Sequence, residues 1–289
     1  MGKVKQGLGD RIYSVIIYTV LIAFAICALY PFLHIIAVSV SGANYVGRGE
    51  ITIIPKGFNL NAYKAVLENS GILTGYKNTI FVTVFNTLFG VIVTAMTAYP
   101  LSKKNLPGKK IFIIFISITI WFQAGMIPRF LVMRKLGLLD KLIGLVLAQL
   151  TTGHNVVVMR NFFQGIPDSL EESAKLDGAN DAQILFKIVL PLSKPIISTV
   201  ALWIAVASWN DFFHPMLYLM DDAKYTLQIF LRNIVVNASI SSDALEMGTT
   251  TSDMIRYATI MVATLPILLV YPYIQKYFVK GTMTGAVKE

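Results

Sequence analysis

The polar residues 171–178 stand out in this chain because they separate two long apolar runs. Glu171, Glu172, Lys175 and Asp177 lie close together and are followed by Gly178. Charged side chains of both signs can form ion pairs and hydrogen bonds with a protein partner. In a sequence dominated by apolar residues, this concentration of charge predicts a docking element.

The same sequence offers no catalytic or metal-binding constellation. His34, His154 and His214 lie in separate apolar runs without ligand spacing, and Cys27 is the only cysteine, which excludes an intramolecular disulfide. A Gly-x-x-x-x-Gly-Lys-Ser/Thr phosphate loop is also missing. The nearest string, residues 107–110, lacks both the upstream glycine and the hydroxyl residue of that motif. We expect no active site, metal site or ATP site in this chain.

Composition predicts an integral membrane protein. Of 289 residues, 55% are hydrophobic and 14% are charged, and the mean hydropathy is +0.63. A bilayer core needs roughly 20 helical residues per crossing. Six apolar runs approach that length: 13–40, 79–101, 111–131, 142–159, 196–220 and 257–278. We therefore predict an all-α fold, a polytopic bundle of six unbroken transmembrane helices.

The fourth run is the weakest of the six. It is short and holds Gln149, His154 and Asn155. A buried amphipathic helix is the alternative for this run.

Basic residues predict the orientation of the bundle. Lys3, Lys5 and Arg11 precede the first run, which is too long for a secretory signal core, and lysines also flank the last run. The joint 101–110 is lysine-rich and favours the inner side, whereas the basic joint 128–141 opposes that orientation. We expect both termini in the cytoplasm and a multi-pass protein of the bacterial plasma membrane. The net charge of +9 then suits anionic lipid and not nucleic acid.

The whole chain, 1–289, is interpreted as one transmembrane domain with a core at about 75–280. Two long segments, 41–78 and 221–256, are expected outside the cell. They are either solvated connectors or docking surfaces for an extracellular partner.

The polar stretch itself predicts a helix and a sharp turn. Ser169 stands three residues before Glu172, which is the spacing of a capping box. The helix should run to about Asp177, where Gly178 supplies a left-handed stop. Asn180 or Asp181 can cap a second short helix that ends near Pro191.

These residues carry a family resemblance. Glu172-Ser173-Ala174, Gly178, Ile188 and Leu190-Pro191 match the signature Glu-Ala-Ala, three positions, Gly, nine positions, Ile-x-Leu-Pro, except that Ser173 replaces alanine. The chain thus resembles the membrane-spanning subunits of ATP-binding-cassette (ABC) importers. The strings 135–138, 209–211 and 285–288 are similar to the smaller permease subunit of carbohydrate importers of the maltose type.

The resemblance implies a type I ABC importer fold and a set of partners. These are a second permease subunit, two cytoplasmic ATPase subunits that hold ATP and Mg, an extracytoplasmic solute-binding protein, an oligosaccharide cargo and membrane lipid. This chain would carry no cofactor. Its function would be that of a permease subunit, with a permease for another solute class or a secondary transporter as alternatives.

The resemblance also assigns ATPase coupling to the polar stretch. The residues are Ser169, Leu170, Glu171, Glu172, Ser173, Ala174, Lys175, Asp177, Gly178 and Ala179. Within the helix we expect Glu171 and Glu172 to face basic groups of the ATPase, Ala174 to permit close approach, and Leu170 and Leu176 to pack inward. A solvated helix face is the alternative for the two glutamates.

Polar residues at membrane depth are the candidates for the cargo path, because they are costly there unless they pair or face water. They are Asn86, Trp121, Gln123, Gln149, His154, Asn155, Trp209, Asn210 and Asp211. Interhelical hydrogen bonds, tryptophan packing and capping by Asp211 are the alternatives. Arg129, Arg134 and Lys135 on the outer rim suggest an acidic oligosaccharide, although lipid headgroups or the delivery protein would also suit them.

Overall fold

The computed structural model describes residues 7–122, 124–240 and 252–286, without the side chains of residues 8, 235, 237–240 and 270–286. The α-helices, in chain order, are α1 Leu8–Ser39, α2 Ala43–Gly47, α3 Asn61–Glu68, α4 Ser70–Ser102, α5 Lys109–Trp121, α6 Met126–Lys135, α7 Leu142–Ala148, α8 Gly153–Phe163, α9 Asp168–Leu176, α10 Asp181–Ile184, α11 Leu190–Leu192, α12 Lys194–Asn210, α13 Phe213–Tyr218, α14 Leu227–Ile240 and α15 Ser252–Ala286. A π-helical turn, Leu185–Val189, joins α10 to α11, and a 3₁₀ turn spans Asp222–Lys224. Within the described ranges there is no strand, so the predicted all-α class is confirmed.

The apolar helices divide into straight and bent candidates for membrane crossing. Among the described residues, Gly9–Ser39, Ser70–Ser102 and Ser252–Leu269 are long and apolar enough to cross by themselves. Three bent pairs join α5 with α6, α7 with α8, and the stretch Asp181–Leu192 with α12, and the total reaches six if each pair is one span. The expectation of six unbroken helices is therefore wrong for the third and fourth runs.

Local sequence explains the break in the third run. The third run bends by 115° between Trp121 and Met126, where Gly125 is extended and Pro128 occupies the first turn of α6, a position that needs no amide donor. The fourth run bends by 56° before α8. A bend of 87° lies at Ser193, just before the fifth run. Because α12 ends at Asn210, the predicted continuation of one helix to residue 220 is also wrong.

One compact unit comprises Met1–Asn69 and Asn233–Thr264. Its buried core contains Ala37, Val38 and Ile51, with Tyr257 packed against them. The Ser41 hydroxyl donates to the Ala37 carbonyl at 2.6 Å and accepts from the Lys56 amide, which fixes the segment after α1. The predicted outer segment 41–78 is thus largely helical, since it contains α2, α3 and the start of α4.

The other unit, Ser70–Arg232 with Leu265–Glu289, is built around α4. This helix packs against α7, α8 and α12, and the shared core includes Ala98, Met159 and Val200. Small residues permit the close approach. A Cβ on Gly90 would lie 2.5 Å from the Leu150 carbonyl oxygen, closer than side chains tolerate. The candidate functional residues all lie in this unit.

A helical elbow and a polar cavity as candidate functional sites

The elbow consists of α9, Gly178 and the helical stretch that follows. At its turn, the Gly178 amide donates to the Lys175 carbonyl and the Ala179 amide donates to the Ala174 carbonyl, at 3.0 and 2.9 Å. This paired pattern is a Schellman motif, which requires a left-handed residue. Gly178 has φ +83°, so the predicted glycine stop is confirmed.

The two ends of the elbow differ from the predicted geometry. The first helix begins at Asp168 after Pro167, without a side-chain cap, so the capping box predicted at Ser169 and Glu172 does not form. Ser169 already lies inside the helix, one residue beyond its start. An earlier start is compatible with Pro167, whose fixed φ suits a helix entrance.

The second part of the elbow is longer than predicted. Asn180 forms a capping box with Gln183, as the sequence allowed, but Pro191 does not end the helix. The chain continues helically to Leu192. The π-helical turn Leu185–Val189 lies directly before Pro191 and accommodates the hydrogen bond that proline cannot donate.

Two acidic residues of α9 bind lysines from the segment after α4. Lys103 Nζ donates to Glu171 Oε1, and only 13% of the Glu171 side chain is exposed. Lys104 Nζ lies 2.8 Å from Asp168 Oδ2 at the surface. The ion pair lowers the pKa of Asp168 and raises that of Lys104. Glu171 is therefore occupied within its own chain, contrary to the expectation that it faces a partner.

The exposed face of α9 is apolar as well as charged. Leu170 is 43% exposed and Leu176 is 89% exposed, whereas Ala174 is buried in the core of the unit. The predicted inward packing of both leucines is wrong, and Ala174 is the residue of α9 that packs inward. The small side chain of Ala174 lets α9 approach its own bundle, which leaves Glu172 and the two leucines outward.

The same end of α4 carries further cations. Lys109 Nζ donates to the Lys103 carbonyl at 2.5 Å, and Arg160 Nε donates to the Leu101 carbonyl at 2.9 Å. Positive charge stabilises a helix C-terminus because the last carbonyls point outward. These bonds hold α5, α8 and, through Lys103, α9 against one helix end.

The polar cavity forms where the fourth run is interrupted. One face of α4 presents Asn86, Gly90 and Thr94 at four-residue spacing toward the break. Thr94 Oγ1 lies 2.7 Å from Thr151 Oγ1, and the Thr152 side chain caps α8 by accepting from the Asn155 amide. Irregular backbone at membrane depth requires such partners or a water-filled cavity.

The cavity has a volume of about 380 Å³. It is lined by Asn86, Arg129, Ala148, Gln149, Thr151, Thr152, His154, Asn155, Trp203, Ile204, Ala207 and His214. The structure thus brings together four residues predicted for the cargo path, namely Asn86, Gln149, His154 and Asn155. Asn86 is 1% exposed, and its Oδ1 has no hydrogen-bond partner among the described residues.

Other predicted path residues lie elsewhere. Trp121 is 82% exposed at the end of α5, and Trp209 is buried, with its ring centroid 6.1 Å from that of Tyr76. Asn210 donates to the Val206 carbonyl of its own helix. Gln123 lies outside the described residues.

Asp211 sits behind the cavity wall. Its Oδ2 accepts from Gln149 Nε2 at 2.6 Å and lies 3.0 Å from His214 Nδ1. Its Oδ1 accepts from the amides of Phe213 and His214 at the start of α13. The carboxylate therefore caps a helix and positions two residues of the cavity wall.

Of the three basic residues predicted at the outer rim, Arg129 is the one that lines the polar cavity. It is partly buried and also lines a second cavity of about 450 Å³. In the described part of the chain, no carboxylate lies within ion-pair distance of it. Arg134 and Lys135, in the last turn of α6, line neither of these two cavities.

Sequence reasoning missed Thr151, Thr152, Trp203 and His214 as cavity residues. The available signal was the spacing of Asn86, Gly90 and Thr94, because small and polar residues four apart mark a helix face against which another backbone packs. Within the described residues, no group of three histidine, cysteine or acidic side chains could hold a metal ion.

Comparison with known proteins identifies relatives along nearly the whole chain. Residues 70–284 match the family described as binding-protein-dependent transport system inner membrane component. The polygalacturonan/rhamnogalacturonan transport system permease protein YtcP of Bacillus subtilis is 42% identical, over 96% of this chain and 99% of that protein. Protein LplC of the same organism is 40% identical, over 90% and 89%.

A solved structure shares the fold. One chain of a bacterial ABC transporter involved in the import of the acidic polysaccharide alginate superposes with a TM-score of 0.90. It is 38% identical, and the match covers 96% of this chain and 100% of that one.

Proposed function

The chain belongs to the family of binding-protein-dependent transport system inner membrane components, and on that premise we propose that it forms half of the translocation path of an ATP-driven importer for acidic oligosaccharides. Family membership makes it a permease component of the bacterial plasma membrane and not an enzyme. The proposal concerns its cargo, its partners and the residues that couple it to ATP hydrolysis.

The observation that carries the proposal is the polar cavity within an otherwise apolar bundle. Its wall combines amide and hydroxyl groups with one cation, Arg129, which has no carboxylate partner among the described residues. Amides suit sugar hydroxyls, and a guanidinium suits a carboxylate. The names of two relatives point to the same chemistry, because polygalacturonan and alginate are chains of uronic acids.

Uptake measurements test the cargo. In bacterial cells that lack this chain, restored expression should restore uptake of a labelled oligogalacturonate but not of a neutral oligosaccharide of equal length. Restored uptake of the neutral sugar alone, or of a solute that is not a sugar, would assign the permease to another cargo.

ATP is hydrolysed by separate subunits in this proposal, and α9 docks into them. Its outward face offers Leu170, Glu172 and Leu176, of which Leu176 is 89% exposed. Exposed leucines next to a charge suit the apolar centre and polar rim of a protein interface. The bonds from α9 through Lys103 to α4 provide a route by which movement of the elbow reaches the helix that carries Asn86.

The partners follow from the same arrangement. A second permease subunit supplies the other half of the path, two ATPase subunits bind the elbows, and an extracytoplasmic binding protein delivers the oligosaccharide.

Co-purification checks the ATPase contact. Leu176→Glu should release the ATPase without unfolding the bundle, whereas Leu136→Glu, at an exposed leucine in the α6–α7 joint, should retain it. Equal retention by both variants would contradict docking through α9.

A further inference from the structure

We propose that Arg129 and Asn86 determine specificity by seating one uronic acid residue of the cargo at the break between α7 and α8. Arg129 binds the carboxylate and Asn86 accepts a hydrogen bond from a hydroxyl. The inference rests on the proposed function and assigns residues to it.

Arg129 is suited to this role by its position and its lack of a partner. It lies in the first turns of α6 and lines both cavities, and no acidic side chain of the described chain lies within 4 Å of it. A partly buried cation is unfavourable unless it meets water or an anion. A carboxylate can satisfy a guanidinium through two parallel hydrogen bonds.

Asn86 supplies the second contact. It is buried on α4, lines the cavity, and its Oδ1 has no donor among the described residues. An unsatisfied buried acceptor in a native structure calls for a ligand or ordered water. A sugar hydroxyl provides the donor that this oxygen lacks.

The remaining wall fits the other faces of a sugar. Trp203 and His154 have ring centroids 5.4 Å apart and planes tilted by 43°, and the indole offers an apolar face to the C–H face of a pyranose ring. The start of α8 directs its positive end toward the break, which favours an anion there. With about 380 Å³, the cavity accommodates a short segment of an oligomer at a time.

Asp211 is the nearby group that would oppose an anion. Its two oxygens accept from Gln149, His214 and two backbone amides. Because these donors compensate its charge, it holds the wall in place and leaves the cation of Arg129 available to cargo.

Uptake of labelled oligogalacturonate by cells with the complete transporter tests the seat. Arg129→Gln should reduce the initial rate at least tenfold, and Arg129→Lys should recover much of it because the charge is kept. Arg134→Gln removes the same charge from the same helix outside both cavities and should leave uptake unchanged. Thermal unfolding of each purified variant separates loss of the seat from loss of the fold.

A cysteine variant tests the same seat if Arg129→Gln accumulates poorly in the cell. Cys27 is the only cysteine of this chain, so Arg129→Cys in a Cys27→Ser background gives the chain one thiol, and the Cys27→Ser transporter is the control for thiols on its partners. A cationic methanethiosulfonate reagent should raise uptake and an anionic one should abolish it.

The outcomes separate the two levels of the proposal. If the wild-type transporter takes up oligogalacturonate and Arg129→Gln does so at the same rate, the seat is wrong and the proposed function stands. The same conclusion holds if the cationic and anionic reagents have equal effects. If the wild-type transporter takes up no oligogalacturonate but imports another solute, the proposed function is wrong and the seat falls with it.

Discussion

The elbow and the cavity are built in opposite ways. The elbow is formed by nearly consecutive residues, from Asp168 to Leu192, and its turn depends on one glycine. The cavity draws its wall from α4, α6, α7, α8, α12 and α13 and from the break before α8. An element built from local sequence can be recognised by spacing alone, whereas a cavity wall assembled from distant residues requires the fold. The predictions below test that contrast.

The largest effect is expected at the turn of the elbow. Gly178 has φ +83° and no atom within 4 Å of a built Cβ, so Gly178→Leu introduces backbone strain of about 1–2 kcal/mol but no clash. We expect normal expression and a loss of uptake of at least tenfold, because the angle between the two elbow helices changes.

Gly137 provides the matched control for this substitution. It has φ +64° and equally open surroundings, but it lies in the joint between α6 and α7. Gly137→Leu imposes similar strain and should retain most uptake. Equal losses at both glycines would mean that general destabilisation, and not the elbow, is being measured.

The stability of the bundle around the cavity should be most sensitive to substitution where α4 meets the break between α7 and α8. A Cβ at position 90 would meet the Leu150 carbonyl oxygen at 2.5 Å, so Gly90→Ala should destabilise the bundle by about 1–3 kcal/mol. Denaturant titration in detergent measures this. Gly9→Ala in α1, with nothing within 4 Å, should lose no stability, and a loss at position 90 no larger than at position 9 would show that the close approach is not required.

The two ion pairs between α9 and the segment after α4 should differ in coupling free energy. Lys103 and Glu171 are partly buried, so a double-mutant cycle with Lys103→Met and Glu171→Gln should give a coupling free energy of about 1 kcal/mol. The pair of Lys104 and Asp168 is exposed to solvent, and its cycle should give no measurable coupling. The reverse order would indicate that Glu171 is not the residue that holds α9.

The smallest effect is expected in the joint after α6. Lys224 and the amides of Met220 and Asp221 lower the pKa of Asp140 to about 2. An ordinary aspartate titrates near pH 3.9 in the unfolded chain, so this carboxylate stabilises the fold above about pH 4 and loses that effect as pH falls through about 2.

Unfolding temperatures in detergent measure this contribution. Asp140→Asn should unfold at a modestly lower temperature than wild type at pH 6, and the difference should shrink toward pH 2.5. A difference that is constant over this range would exclude the carboxylate charge as its cause.

Sequence alone predicted the parts of the fold that depend on composition and local spacing. The all-α class, the left-handed Gly178 and the cap at Asn180 belong to this group, because apolar length and backbone conformation are properties of short segments. The π-helical turn before Pro191 was not predicted, since a helix end at proline is the usual local outcome.

Tertiary contacts explain the remaining errors. Glu171 was expected to face a partner, but Lys103, 68 positions earlier, binds it. The small side chain of Ala174 packs against the bundle and turns Leu170 and Leu176 outward. The sequence identified both Arg129 and Arg134 as cations of the outer rim. Only the structure shows that Arg129 lines the cavity and Arg134 does not.

Cross-linking from the elbow tests the central claim most directly. In a Cys27→Ser background, Leu176→Cys with a short thiol-reactive photo-cross-linker should capture the ATPase subunit in the assembled transporter, with a yield that changes when ATP is added. Leu136→Cys, at an exposed site in the α6–α7 joint, should not capture it. An active transporter in which position 176 never cross-links to the ATPase, or does so no better than position 136, would contradict the account.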